Sequence, residues 1–166
     1  EIGYWVLKTA CAQNKRWQAM GLGKLLISVN VSAYQFQQQH FLERVKRALS
    51  ESGLEPRYLQ LELTESLMMN KINYSISIMQ ELRNLGVKVS IDDFGTGYSS
   101  LGYLKNLPID SLKIDRSFIN NLKQETSDIA IVEAIIMMGH GLSVKVVAEG
   151  VEKEEQMTLL KEMKCH

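Results

Sequence analysis

The chain has 166 residues, 45% of them hydrophobic, with 19 basic and 19 acidic side chains and a formal net charge of zero. That length suits one domain with a sizeable core. The balanced charge excludes a non-specific binder of nucleic acid polymers, which needs a basic surface to neutralise phosphates.

Cys11 and Cys165 form neither a CxxC pair nor a disulfide framework, which favours a reducing compartment. No apolar run reaches the roughly 18 residues of a membrane span, so no membrane contact is expected of this segment. The chain begins with Glu1 rather than Met and carries no visible signal peptide.

Ile2, Val6, Ala10 and Trp17 recur at helical spacing, which predicts a first helix ended by Gly21 and Gly23 with Trp5 and Trp17 as packing residues. Residues 25–31 (LLISVNV) read as a strand, and Ser32 as the cap of one helix over 33–52, stopped at Gly53. A second strand is expected over 58–63, then a helix carried by Ile72, Ile76, Met79 and Leu82 and ended at Gly86. Residues 87–91 form a third strand running into Asp92 and Asp93. A turn with Gly95 and Gly97 follows, and Ser99 and Ser100 sit where a helix should start. A short helix over 101–107 is closed by Pro108, and 111–115 is the fourth strand. Ser127 is expected to cap a long apolar helix ending at Gly141, and 144–148 is the fifth strand before a polar helix reaching Met163.

These strands recur about every 30 residues, the size of a βαβ unit, so the fold class is α/β with a parallel sheet. Alternation within the strands separates the two architectures that remain. One parity holds Asn30, Glu62, Asp92, Lys113, Asp115 and Glu149, whereas the other holds Val29, Leu61, Ile91, Leu112 and Val146. An open doubly wound sheet would be apolar on both faces and would use few strand ends. Five polar strand ends aimed at one mouth mean a (β/α)8 TIM-type barrel. With about five strands, starting inside a helix and stopping before a strand, the barrel is expected to be incomplete in this chain.

Asn30, Glu62, Asp92, Asp93 and Glu149 would crowd oxygen donors at that mouth. Carboxylates so placed repel and raise one another's pKa. A hard divalent cation resolves the conflict, and this many acids suggest two metals arranged for attack on a phosphate ester. Lys113 could offset phosphate charge or orient the attacking water. A single strand-end acid more often caps the next helix; recurrence on five strands makes the set informative.

At these residues the chain resembles a known family. SVNVS (28–32), ELTES (62–66), DDFGTGYSSL (92–101), LKIDRSFI (112–119) and VVAEGVE (146–152) are similar, in order and spacing, to the motifs of EAL-domain cyclic di-GMP phosphodiesterases. The resemblance implies one partial EAL-type barrel domain over 1–166, a bacterial signalling hydrolase that cuts cyclic di-GMP to linear pGpG with Mg²⁺ or Mn²⁺. Asn30, Glu62, Asp92, Asp93 and Glu149 would be metal ligands, with Asp92 bridging two metals. Lys113, Glu149, Asp92 and Asp93 would be catalytic, Lys113 holding the water or a phosphate oxygen with support from Asp115. Glu65 and Glu152 would position the loop of Phe94, Gly95, Thr96, Gly97 and Tyr98, which couples substrate, metal and dimer formation. It also implies a homodimer with regulatory or sensory domains elsewhere in the protein, in the cytoplasm or as the cytoplasmic part of a membrane-anchored chain. The family's naming glutamate and a late glutamine would fall outside 1–166, so activity is expected of the parent protein rather than of these residues alone.

Two rival functions compete. A barrel that senses cyclic di-GMP without cleaving it would usually lack acids in the ELTE or paired-Asp segments, and both are present. A Schiff-base enzyme using Lys113 is disfavoured by the surrounding acids, which keep the amine protonated. Phe94 and Tyr98 read equally as gates or stacking partners for guanine and as local packing. Met68, Met69, Met137 and Met138 read as core filler. His40, His140 and His166 lack ligand spacing, His140 sitting favourably near a helix C-terminus, and Arg44, Lys46 and Arg47 form a solvated face.

Overall fold

A computed structural model describes residues 1–69, 72–97, 101–120, 122 and 126–166; Tyr98, Ser99 and Ser100 and the side chains of Met68 and Met69 lie outside that set.

The first helix, α1 (Ile2–Ala19), forms as expected, but it buries Leu7, Cys11 and Asn14. Ile2 and Val6 are exposed, and so is Trp5, at 65%, so the expected packing face is out of phase and Trp5 is not a packing residue. The buried stripe is hidden in the sequence because its third member is polar. Asn14 Nδ2 donates to the carbonyls of Leu25 (2.9 Å) and Tyr58 (3.2 Å), tying α1 to the chain entering two strands.

Strand β1 (Ile27–Val31) starts after exposed Leu25 and Leu26. The single helix expected over 33–52 is two, α2 (Ala33–Phe36) and α3 (Phe41–Ser52). Ser32 does cap, in a reciprocal box with Gln35. The break has a packing reason. On a continuous helix Phe36 and Phe41 would point about 140° apart, whereas here both are buried with ring centroids 5.4 Å apart. Helix α3 ends at Gly53 in the left-handed region, φ 66°.

The rest alternates regularly: β2 (Leu59–Thr64), α4 (Glu65–Met69), α5 (Ile72–Leu85), β3 (Lys88–Phe94), α6 (Leu101–Leu104), β4 (Ser111–Ile114), α7 (Arg116–Asn120), α8 (Thr126–Leu142), β5 (Lys145–Ala148) and α9 (Glu154–Glu162). Helix α6 is shorter than expected, and α7 was not legible at five residues. Ser127 lies inside the first turn of α8 rather than at its cap, and the helix runs through Gly141 to Leu142. Met137, at 68% exposure, is on the solvent side of α8 rather than in the core, where Met138 is partly buried.

The five strands are all parallel in the order β1-β2-β3-β4-β5. A doubly wound sheet would reverse its strand order at a switch point; sequential order is that of a barrel wall. Val29, Leu61, Val89, Leu112 and Val146 form the buried face beneath the helices. The opposite face is polar and internally bonded: Gln60 Nε2 donates to Ser28 Oγ (3.1 Å), and Ser111 Oγ to Ser90 Oγ (2.9 Å).

Helix α8 approaches the sheet closely at Gly139, where an added Cβ would stand 2.1 Å from Val146 Cγ2. Gly139→Ala is therefore expected to destabilise the protein by about 1–3 kcal/mol through overpacking. Urea unfolding should show a lower midpoint with an unchanged m-value.

Candidate functional site

The C-terminal ends of the strands meet at one side chain. Lys113 Nζ, at the end of β4, lies 2.8 Å from Glu62 Oε2 of β2 and 3.1 Å from Asp92 Oδ1 of β3, and it also bonds Glu149 Oε1, one residue past β5. In a flat sheet β2 and β5 would be about 14 Å apart. Their carboxylates reach one ammonium because the sheet curls around its polar face. Glu62 and Asp92 are buried and Lys113 is nearly so.

Burial alone would depress the Lys113 pKa, but hydrogen bonds with Glu149, Glu62 and Asp92 reverse this and hold it above its ordinary 10.5. A lysine whose folded pKa is raised contributes stability in full below that ordinary value and loses it only as pH climbs through the folded one. Across neutral pH, Lys113 is thus a fixed positive charge and hydrogen-bond donor. It has no lone pair for Schiff-base chemistry.

Adjacent residues of a regular strand point to opposite faces, yet both Asp92 and Asp93 serve the mouth. The register shifts between Ile91 and Phe94, and Asp93 takes φ 53°, a left-handed conformation that Asp tolerates better than most residues. The bulge turns the second acid inward. Burial, and then the charges of Asp92, Asp115 and Glu149, raise the Asp93 pKa, with a hydrogen bond to Asp115 also contributing. Asp115 moves the other way: Ser117 hydrogen-bonds it through side chain and backbone, the backbone N–H at 2.8 Å from Oδ1, and lowers its pKa.

The turn after Asp93 rests on a buried acid. Glu65 Oε2 accepts the Gly95 N–H at 3.0 Å, and a Cβ on Gly97 would stand 2.7 Å from Glu65 Oε1. Thr96 Oγ1 donates to the Asp93 carbonyl at 2.8 Å. Gly95, at φ 99°, also lies against Phe118. Phe94 is only 3% exposed and packs in the core, which leaves it unable to stack on a base. Tyr98 lies outside the described residues.

Two expected members stand apart from the Lys113 cluster. Asn30 is exposed, facing Glu62 across the β1–β2 register, in an open groove of about 880 Å³ that also has Ser28 and Ser32 in its wall. Glu152 is exposed, and its backbone N–H rather than its carboxylate is engaged, by Gln156. Buried Gln156 escaped sequence reading: the capping-box spacing is there, but Lys153 occupies the cap where Ser or Thr would announce it.

Chemically the mouth is a set of oxygen donors. Glu62, Asp92 and Glu149 against Lys113 leave a formal charge of −2, and Asp93 adds to it. Among the described residues no three His, Cys, Asp or Glu side chains close into a cage by themselves; the Lys113 ammonium stands between the acids. Surplus negative charge on carboxylate and amide oxygens fits hard divalent cations such as Mg²⁺ or Mn²⁺.

The EAL domain family model matches residues 1–166. MucR of Pseudomonas aeruginosa, a bifunctional diguanylate cyclase/cyclic di-GMP phosphodiesterase, is 48% identical over 166 residues, covering 100% of this chain and 24% of MucR. The chain thus spans about a quarter of that relative's length. The solved PaMucR phosphodiesterase, in complex with c-di-GMP, superposes with a TM-score of 0.96 at 48% identity, over 99% of this chain and 67% of that one. Klebsiella pneumoniae BlrP1, solved as a manganese/cy-diGMP complex, gives a TM-score of 0.82 at 26% identity, over 96% of this chain and 41% of that one.

An acid whose folded pKa is raised costs stability above that value, and the cost disappears below its unfolded pKa. In the presence of EDTA, Asp93→Asn is therefore expected to raise the thermal midpoint at pH 7. The gain should vanish as pH falls below the ordinary 3.8 of aspartate, which melting curves across pH will show.

Proposed function

Because this chain belongs to the EAL domain family, we propose that it is the phosphodiesterase portion of a bacterial signalling protein, hydrolysing one phosphodiester of cyclic di-GMP to linear pGpG with two Mg²⁺ or Mn²⁺ ions. The observation that carries this reading is the convergence of Glu62, Asp92 and Glu149 on Lys113 at one end of the sheet. MucR and BlrP1, solved with cyclic di-GMP and in the second case with manganese, support the substrate and the metal class.

In this reading Asn30, Glu62, Asp92, Asp93 and Glu149 would hold the metals; the bulge that brings two successive carboxylates to the mouth supports a paired site. Bound there, such cations lower the pKa of a water and polarise the phosphoryl oxygens. Lys113, permanently protonated, supplies a hydrogen-bond donor and positive charge for the phosphate or the attacking water, and does not act as a base. Asp115 stays ionised because Ser117 hydrogen-bonds it, and its contact with Asp93 holds that acid in place. Glu65 fixes the loop of Gly95 and Gly97 beside the acids. Catalysis then rests on groups positioned before substrate arrives.

The same reading places the domain in a larger, regulated protein that works as a homodimer in the cytoplasm. Among the described residues no helix is long and apolar enough to cross a membrane.

The intact parent protein, assayed with Mg²⁺ or Mn²⁺, is expected to convert cyclic di-GMP to pGpG by chromatography and to stop on addition of EDTA. Loss of even an outer-shell residue typically costs 10–100-fold, so Asp92→Ala should lower kcat by about 100-fold or more. Turnover surviving both treatments overturns the mechanism. Calorimetric binding without product over hours would make the domain a sensor instead.

A further inference from the structure

The loop after β5 is fastened to the loop after β4 by one buried side chain. Gln156, 5% exposed, is the only residue between Glu149 and the body of α9 that makes three hydrogen bonds with its side chain among the described residues. Its Oε1 accepts the backbone N–H groups of Glu152 and Lys153, both at 2.9 Å, and its Nε2 donates to the Ile119 carbonyl at 2.8 Å. The amide orientation is unambiguous, because the reverse would set donors against donors. Ile119 belongs to α7, the helix that begins one residue after Asp115 and three after Lys113.

The segment of Glu149 is therefore stapled to β4 and α7 at both ends. Upstream, the Glu149 N–H donates to the Ile114 carbonyl at 3.2 Å. Downstream, Gln156 holds Glu152 and Lys153 to Ile119. Between them Gly150, at φ 71°, lies so close to α7 that a Cβ would stand 2.8 Å from Arg116 Cβ. The Glu149 side chain is 37% exposed, so its place depends on the Lys113 contact and on the backbone that carries it.

Resting on the metal-site reading above, we propose that Gln156 is a positioning residue that sets Glu149 against Lys113 and so tunes divalent-cation affinity. The role needs an acceptor and a donor on one side chain. Leucine offers neither, and glutamate keeps only the acceptor. Asparagine is one methylene short.

The test uses the intact parent protein and measures Mn²⁺ binding directly, by the electron paramagnetic resonance signal of the free ion, beside kcat and KM. Gln156→Leu is expected to weaken Mn²⁺ binding and lower kcat by about 10-fold each, the lower end for an outer-shell partner, with KM for cyclic di-GMP held within about 2-fold. Gly139→Ala, destabilised by overpacking against Val146 on the helix-covered face of the sheet, is the control and should bind Mn²⁺ as wild type does. Mn²⁺ affinity of Gln156→Leu equal to that control overturns the proposal. Should Gln156→Leu not fold, Gln156→Glu decides: Mn²⁺ affinity reduced by about 3-fold or more supports the role, and wild-type affinity overturns it. A wild-type protein that binds Mn²⁺ without turnover sinks the hydrolase reading while the Gln156 titration still stands. Wild type without Mn²⁺ affinity overturns both.

Discussion

Everything at the mouth depends on one cation among carboxylates. Lys113 holds Glu62, Asp92 and Glu149 on three other strands or their extensions. Carboxylates this close repel one another, and one nearly buried ammonium offsets that repulsion and points them at a common centre. The pairing does not make the fold especially stable, because desolvating four charges costs nearly what their attraction returns. Removing one partner is what costs, at about 3–5 kcal/mol for a buried pair. The cluster therefore specifies geometry more than it adds stability. It also leaves a formal negative charge that suits added divalent cations.

Around that centre the supporting contacts run mostly from side chain to backbone. Glu65 takes the Gly95 N–H, and Gln156 takes two N–H groups and gives one bond to a carbonyl. Both side chains are buried, so these bonds pair polar groups held away from bulk water. The loops are fixed at their main chain, beside the buried carboxylates of Glu62 and Asp92. Close approaches at Gly97 and Gly150, where a Cβ would meet Glu65 and Arg116, draw those loops tight.

Asp93 carries the opposite balance. Its left-handed backbone and raised pKa both act against stability, the pKa through burial first and then the charges of Asp92, Asp115 and Glu149. Strain and like charge concentrated at one residue are characteristic of functional sites. The bulge that creates the strain is also what brings two adjacent acids to the same side of the sheet.

The strands and their polar parity were determined by local sequence, because alternation with a period of two is visible residue by residue. It foretold the buried face of Val29, Leu61 and Leu112, the polar face of Glu62, Asp92 and Lys113, and a barrel wall rather than a doubly wound sheet. The motifs then pointed to the family. Tertiary structure alone decided three things. It rotated α1 onto Leu7, Cys11 and Asn14, since an asparagine bonding two distant carbonyls leaves no hydrophobic signal. It broke the helix between Phe36 and Phe41 so that both rings could be buried. And it set Lys113 within reach of three carboxylates, turned Asp93 inward through a bulge, and latched the Glu149 loop with Gln156. Those depend on the curl of the sheet and on bonds between residues 30 to 51 positions apart, distances over which spacing along the chain carries no information.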